Sequence, residues 1–337
     1  MNRLPSPQLL RRPDISGLRA VFRGYVAVMI LVTLAGCRGT QRGEQPSITV
    51  FNAGALALPI RQALDSFARA RGLRANQESA GSLETARKIT ELARVPDVVA
   101  LADTAIFSRL LAGRLAGPVK ILGTTRLVLA YTDRSRFADE VSPDNWPDVT
   151  TRPGVSVGRS DPALDPAGYR ALMAMQLAER YYARPGLARR LERAASASNM
   201  RRKSADLAAL LQTGNLDYAW EYESVARSLG LRFVSLPPAV NLGDPALAAT
   251  YALVQVNVSA PGRTGPAVGS RGNRAPLLLH GAPIVFGAAV PEGALHPRAG
   301  KSFITYLMSP AGRLILAAAG FEPAQPFTLP CATTHAC

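Results

Sequence analysis

Residues 47–56, Ser47-Ile48-Thr49-Val50-Phe51-Asn52-Ala53-Gly54-Ala55-Leu56, decide how the rest of the chain is read. The β-branched and aromatic run from Ile48 to Phe51 favours an extended strand, and the small residues Asn52 to Ala55 favour a tight turn after it. Beyond the turn, Ile60, Leu64, Phe67 and Ala68 recur at helical spacing and Gly72 supplies a stop, so the segment reads as strand, turn and helix. The same grammar follows downstream. Ala80-Gly81-Ser82 opens a helix whose Leu83, Ala86, Ile89 and Leu92 share a face, Val98 to Leu101 is the next strand, and Asp103 stands at its carboxyl end. Strands that alternate with helices in this way predict an α/β fold with a largely parallel sheet.

Working outward, Leu127 to Tyr131 reads as a further strand, and the polar, Pro-punctuated stretch 132–147 as a crossing out of the first lobe. A second α/β series follows. It comprises strands at 155–157, 216–220 and 232–236 and helices at 169–182, 204–211 and 222–229, the last stopped by Gly230. Residues 251–258 suit a return crossing, 261–276 a solvated loop, and the chain then resumes with a strand at 284–288 and helices at 300–308 and 311–319. Two lobes joined by crossings, with a ligand cleft at the carboxyl ends of strands, are the plan of hinged receptors. The expected division is 47–131 with 252–330 as lobe 1, 132–251 as lobe 2, and 331–337 as a tail.

The 337 residues are 47% apolar and 19% charged, enough for a sizeable core and incompatible with a mostly disordered chain. The net charge of +15 raises nucleic acid or an anionic surface as partners. That charge is almost all Arg, scattered among Ala, Leu and Gly, with Lys only at Lys88, Lys120, Lys203 and Lys301. No basic run interleaved with aromatics and no zinc-finger spacing accompanies it, so a nucleic-acid partner is not expected. At the N-terminus, Arg3, Arg11, Arg12, Arg19 and Arg23 precede an uncharged apolar run from Tyr25 to Leu34, too short to span a bilayer, which marks residues 1–36 as an export signal. The run ends in Leu34-Ala35-Gly36-Cys37, which resembles the bacterial lipobox, in which the Cys is acylated and becomes the first residue after cleavage. An uncleaved anchor is the alternative. Residues 37–46 then read as a tether, and outside the cytosol Cys331 and Cys337 can pair.

Several strings, in order along most of the chain, carry a resemblance to one family: Val50-Phe51-Asn52-Ala53-Gly54, Glu78-Ser79-Ala80-Gly81-Ser82, Asp165-Pro166-Ala167-Gly168-Tyr169-Arg170, and Asp217-Tyr218-Ala219-Trp220-Glu221-Tyr222 with Ser224-Val225-Ala226. They resemble the molybdate/tungstate-binding proteins of bacterial and archaeal ABC importers. The resemblance implies a two-lobe periplasmic-binding-protein fold of type II that holds a tetrahedral oxyanion and delivers it to an ABC permease. It further implies a monomer held at the cell envelope by its lipid, with no cofactor and no enzymatic activity. In the branch with this pattern two carboxylates reach the metal of the anion and complete an octahedral site; here they would be Asp165 and Glu221, with Glu223 as the competing carboxylate. The family usually has Ser where this chain has Ala55.

Such an anion needs many donors, and backbone N–H groups at helix starts supply them together with a favourable dipole. Gly54-Ala55 and Gly81-Ser82 are placed to do so, and the Ser82 hydroxyl either adds a donor or caps its own helix. Tyr222 either donates its hydroxyl to the ligand or packs. Arg170 can steer anions, although an Arg on a helix surface is usually only solvated. Asp165 before Pro166 and Glu221 near a helix start also suit plain helix caps. Other readings are a receptor for a different oxyanion or a small organic acid, favoured by Ala55, and a hydrolase using Asp165 and Glu221 as acid and base. His280, His296 and His335 are too scattered for a catalytic set.

Overall fold

The computed structural model describes residues 46–258 and 276–323. The stretches expected to be an export signal and a tether, with Cys37, most of the Gly- and Arg-rich loop, and the tail with Cys331, His335 and Cys337 lie outside the described residues. The strands are β1 (Ser47–Ala53), β2 (Arg74–Ala80), β3 (Val98–Leu101), β4 (Lys120–Thr124), β5 (Leu127–Tyr131), β6 (Val157–Ser160), β7 (Met200–Arg201), β8 (Tyr218–Tyr222), β9 (Arg232–Ser235), β10 (Gln255–Val258), β11 (Leu277–His280) and β12 (Val285–Ala289). They form two five-stranded sheets, ordered β2-β1-β3-β12-β4 and β7-β6-β8-β5-β9, and a separate ribbon of β10 and β11.

The two large sheets share one plan. In the first, β1 is parallel to β2 and β3, while β12 inserts antiparallel between β3 and β4. In the second, β6 is parallel to β7 and β8, while β5 inserts antiparallel between β8 and β9. Each sheet is therefore parallel except for one reversed strand, which is an α/β fold of two similar halves. The reversed strands correct two expectations. Leu127–Tyr131, expected to end lobe 1, belongs to the second sheet, so the chain crosses at Thr125 and Arg126 rather than through the polar stretch 132–147. Residues 251–258 do not form the return; β10 pairs with β11, and the chain re-enters the first sheet through Ile284, whose amide donates to Leu242 O (2.9 Å).

Local chemistry explains the helices that carry the site. The helix Ala57–Arg71 buries Ile60, Ala63, Leu64, Phe67 and Ala68 and stops at Gly72, whose φ of 63° suits a residue without a side chain. Its Phe67 meets Phe303 of the helix Pro297–Met308 edge to face, with ring centroids 5.2 Å apart. The helix Pro166–Tyr181 starts on Asp165 as N-cap with Pro166 in its first turn. A Cβ on Gly168 would lie 2.4 Å from Ser160 O, so this glycine lets the helix start press against the end of β6. Trp146 and Trp220, both buried, cross edge to face with centroids 5.6 Å apart and fill the second half beneath β8.

Boundaries shifted where polar anchors outrank apolar pattern. Strand β8 starts two residues later than its hydrophobicity suggests, because the Asp217 carboxylate accepts from Ser156 N (2.7 Å), Ser156 Oγ (2.8 Å) and Arg136 N (2.9 Å). This shift has a functional consequence: Glu221 lies within the strand, and the following helix, Glu223–Ser228, begins after it.

Candidate functional site

The carboxyl ends of β1, β2, β6 and β8 carry the predicted residues, and the close approaches of Gly81 to Leu164 and of Gly54 to Lys203 bring the two halves together there. In the first half, buried Asn52 donates to Ala53 O (2.7 Å) and Ser79 Oγ (2.9 Å) and accepts from Gln77 Nε2 (2.9 Å), which fixes the turn Gly54–Leu56 that follows β1. The helix Ser82–Glu91 has Gly81 as its N-cap. Ser82 does not cap that helix; its buried hydroxyl accepts from Ala102 N (3.0 Å) at the end of β3 and keeps its own proton for another acceptor.

Two further amides at the start of this helix are used within the protein. Leu83 N and Glu84 N donate to Leu164 O from the other half, at 3.1 and 3.3 Å. The approach is close enough that a Cβ on Gly81 would sit 2.2 Å from that oxygen. Arg87 Nη1 donates to Ala163 O (2.7 Å), and Arg202 pairs with Glu84 (2.9 Å), so the two halves are clasped along this edge.

Asp165 and Glu221 face the cleft from the second half, 4% and 1% exposed. Asp165 is the N-cap that the sequence offered, accepting from Ala167 N (3.3 Å), and its second oxygen accepts from Ser204 N (2.7 Å). Glu221 is no helix cap. Its Oε1 accepts from Tyr222 N (2.8 Å), while Oε2 is buried without a partner. Burial pushes the Asp165 carboxyl up to about 6 against the pull of its hydrogen bonds, and burial followed by the neighbouring Asp165 charge pushes Glu221 up to about 8. Among the described residues neither forms an ion pair. Glu223, by contrast, is neutralised on both oxygens, by Arg126 Nε and Arg227 Nε, and is removed as the competing ligand.

Arg170 is not the solvated side chain expected. It is 2% exposed and crosses between the halves, donating from Nη1 to Ala102 O (2.6 Å) and Tyr222 Oη (3.0 Å) and pairing through Nη2 with Asp103 (3.0 Å). The Tyr169 hydroxyl donates to the same Asp103 oxygen. Tyr222 is thus fixed by Arg170 and packs against Phe286, with centroids 5.5 Å apart. The sequence reading did not find this bridge, nor Ser160 and Ser204, whose hydroxyls lie beside Asp165 and Glu221 respectively. The adjacent Tyr169-Arg170 pair was the only local signal. His296 holds a structural place, its amide donating to Asp97 Oδ1 (2.6 Å).

Two sheets of one topology, with both carboxylates and both helix starts gathered where the two halves meet, have the plan of a two-lobe periplasmic receptor. Residues 48–322 match the family described as bacterial extracellular solute-binding protein, and the chain belongs to that family. It is 34% identical to an uncharacterized solute-binding protein of Petrotoga mobilis, over 86% of this chain and 87% of that protein. It is 30% identical to the molybdate/tungstate-binding protein WtpA of Pyrococcus abyssi, over 86% and 89%. Among solved structures, the periplasmic molybdate-binding protein of Azotobacter vinelandii superposes with a TM-score of 0.58 at 16% identity, covering 82% of this chain and all of that one, a likeness of fold. Membership in a family of receptors removes the hydrolase reading of the paired carboxylates. The family name implies a location outside the cytosol, and among the described residues no helix is long and apolar enough to cross a membrane.

Proposed function

We propose that this protein captures molybdate or tungstate outside the cell membrane and hands it, as a monomer, to an ABC permease. The observation that carries the reading is the pair Asp165 and Glu221: two buried carboxylates that feel each other's charge, with no ion pair among the described residues and one oxygen of Glu221 that closes no hydrogen bond there. Two adjacent acids are costly in a partly buried cleft unless something positive lies between them. Among the described residues no group of three or more His, Cys, Asp or Glu could cage a bare metal ion. A metal that arrives with four oxygens of its own needs only two more, and Mo(VI) and W(VI) are hard centres that accept them. Sulfur and phosphorus in sulfate and phosphate do not expand their shells in this way, so the acids act as selectors. Backbone amides of Gly54, Ala55 and Ser82 and the Ser82 hydroxyl face the anion from the first half, and Tyr222 stands at the edge of the site. The similarity to the Pyrococcus abyssi protein supports the same ligand.

Native mass spectrometry of the purified receptor tests the reading, because a retained anion identifies itself by mass. Molybdate or tungstate at one per chain is expected; retention of an organic acid, or of sulfate in preference to both, contradicts it. We further propose that lipid on Cys37 holds the receptor at the membrane, since dual acylation anchors far better than one chain. Replacing Cys37 by Ser should stop acylation and either release the protein or stall it unprocessed, and a processed variant that stays in the membrane fraction overturns the anchor.

A further inference from the structure

Buried polar atoms in native proteins nearly always have partners, so a cluster of unpartnered ones asks what they are meant to meet. Among the described residues five buried side-chain atoms close no hydrogen bond, Arg159 Nε, Ser160 Oγ, Ser204 Oγ, Glu221 Oε2 and Ser224 Oγ, and of these Ser160 Oγ lies beside Asp165 while Ser204 Oγ lies beside Glu221. Ser160 is fully buried at the end of β6, its carbonyl against Gly168 and its hydroxyl beside the Asp165 carboxyl. Ser204 is 1% exposed and opens a short 3₁₀ turn that packs against the turn Gly54–Leu56 of the other half. The methylenes of the preceding Lys203 lie on Gly54, where a Cβ would come within 3.1 Å.

The Ser160 hydroxyl lies close enough to Asp165, and the Ser204 hydroxyl close enough to Glu221, to favour the charged carboxylates, yet neither closes a hydrogen bond of good geometry, and the two Asp165 oxygens accept from Ala167 N and Ser204 N. Across the cleft, Gly54-Ala55-Leu56 offers amides but no hydroxyl. An anion held between the halves would therefore present its oxygens, on the second-half side, to two carboxylates. Oxygen facing carboxylate is repulsive unless a donor stands between them.

We propose that the hydroxyls of Ser204 and Ser160 are ligand contacts that donate to oxygens of the bound oxyanion, and that Ser204 also aims Asp165 through its amide. This rests on the oxyanion reading of the cleft and extends it from the metal to the oxygens: the acids recognise the centre and the serines recognise its shell. Ser204 reaches both halves at once, with its backbone on Asp165 and its turn against Gly54–Leu56.

Calorimetric titration of wild type, Ser204→Ala and Ser160→Ala with molybdate and with tungstate tests the assignment, together with thermal melting of each protein free of anion. Hydrogen bonds to a charged partner are among the stronger ones, so each variant should bind both anions about tenfold more weakly or worse. Removing a hydroxyl that closes no hydrogen bond of good geometry within the protein should leave the midpoint of the anion-free protein unchanged or raised. Affinities within twofold of wild type in both variants overturn the proposal, and so does a weakened affinity accompanied by a lowered anion-free midpoint, which marks a structural hydroxyl. A wild type that binds neither anion removes the oxyanion reading and this assignment with it. Wild-type binding with unaffected serine variants removes this assignment alone.

Discussion

At Glu221 and Asp165 burial favours the proton, and that has a sign that can be measured. A carboxyl whose native pKa stands above its unfolded value binds more protons folded than unfolded, so stability is full below the unfolded value and falls as pH rises through the native one. For Glu221 that window runs from 4.5 to about 8, with Asp165 contributing up to about 6. The anion-free protein should lose stability on the order of a few kcal/mol across that window. Glu221→Gln should flatten most of the decline in melting midpoint between pH 5 and 8, and a wild-type midpoint that rises steadily over this range would contradict the electrostatics. Glu78 and Asp148, held below their ordinary values by Lys88, Arg94 and Arg184, act in the opposite direction and only at more acid pH. At this scale Asp165 and Glu221 were legible because each stands in a local motif. Ser204 and Arg170 were not, since what defines them lies far away in sequence: Ser204 meets Asp165 across 39 positions and Arg170 meets Ala102 across 68.

The elements that were read correctly are those whose apolar periodicity is strong, such as β1, β3 and the helix from Ala57. Strand β2, Arg-Ala-Asn-Gln-Glu-Ser-Ala, was invisible because it is a sheet edge with polar side chains, held by pairing to β1 rather than by burial. Its Gln77 and Ser79 are nevertheless what holds Asn52, so an unread element sets the turn of a well-read one. The helix Ser82–Glu91 shows how elements from the two halves depend on each other. Gly81 admits the Leu164 carbonyl, and a methyl there must push it away. Gly81→Ala should cost about 1–3 kcal/mol of stability, as overpacking does, and weaken anion binding severalfold by displacing Asp165, the next residue after Leu164. Denaturant unfolding and titration of the variant check both effects; wild-type values in both would mean that this close approach does not operate in solution.

Over the whole molecule, the bonds from Leu83, Glu84, Arg87 and Arg202 and the Asp103–Arg170 bridge tie the halves together. The crossing at Thr125 and Arg126 is short, and the ties between the halves are the part of the fold that can open and re-form around a ligand. Small-angle scattering should give a smaller radius of gyration at saturating molybdate than without it, and identical profiles would count against closure on the ligand. The central claim is that Asp165 and Glu221 ligate the metal of the anion, and calorimetric titration of wild type, Asp165→Ala and Glu221→Ala with molybdate and with sulfate tests it most directly. Loss of a ligand bond should weaken molybdate binding by several kcal/mol in each variant, while sulfate, relieved of a repelling charge, binds as well as before or better. Molybdate affinity equal in all three proteins would contradict the account.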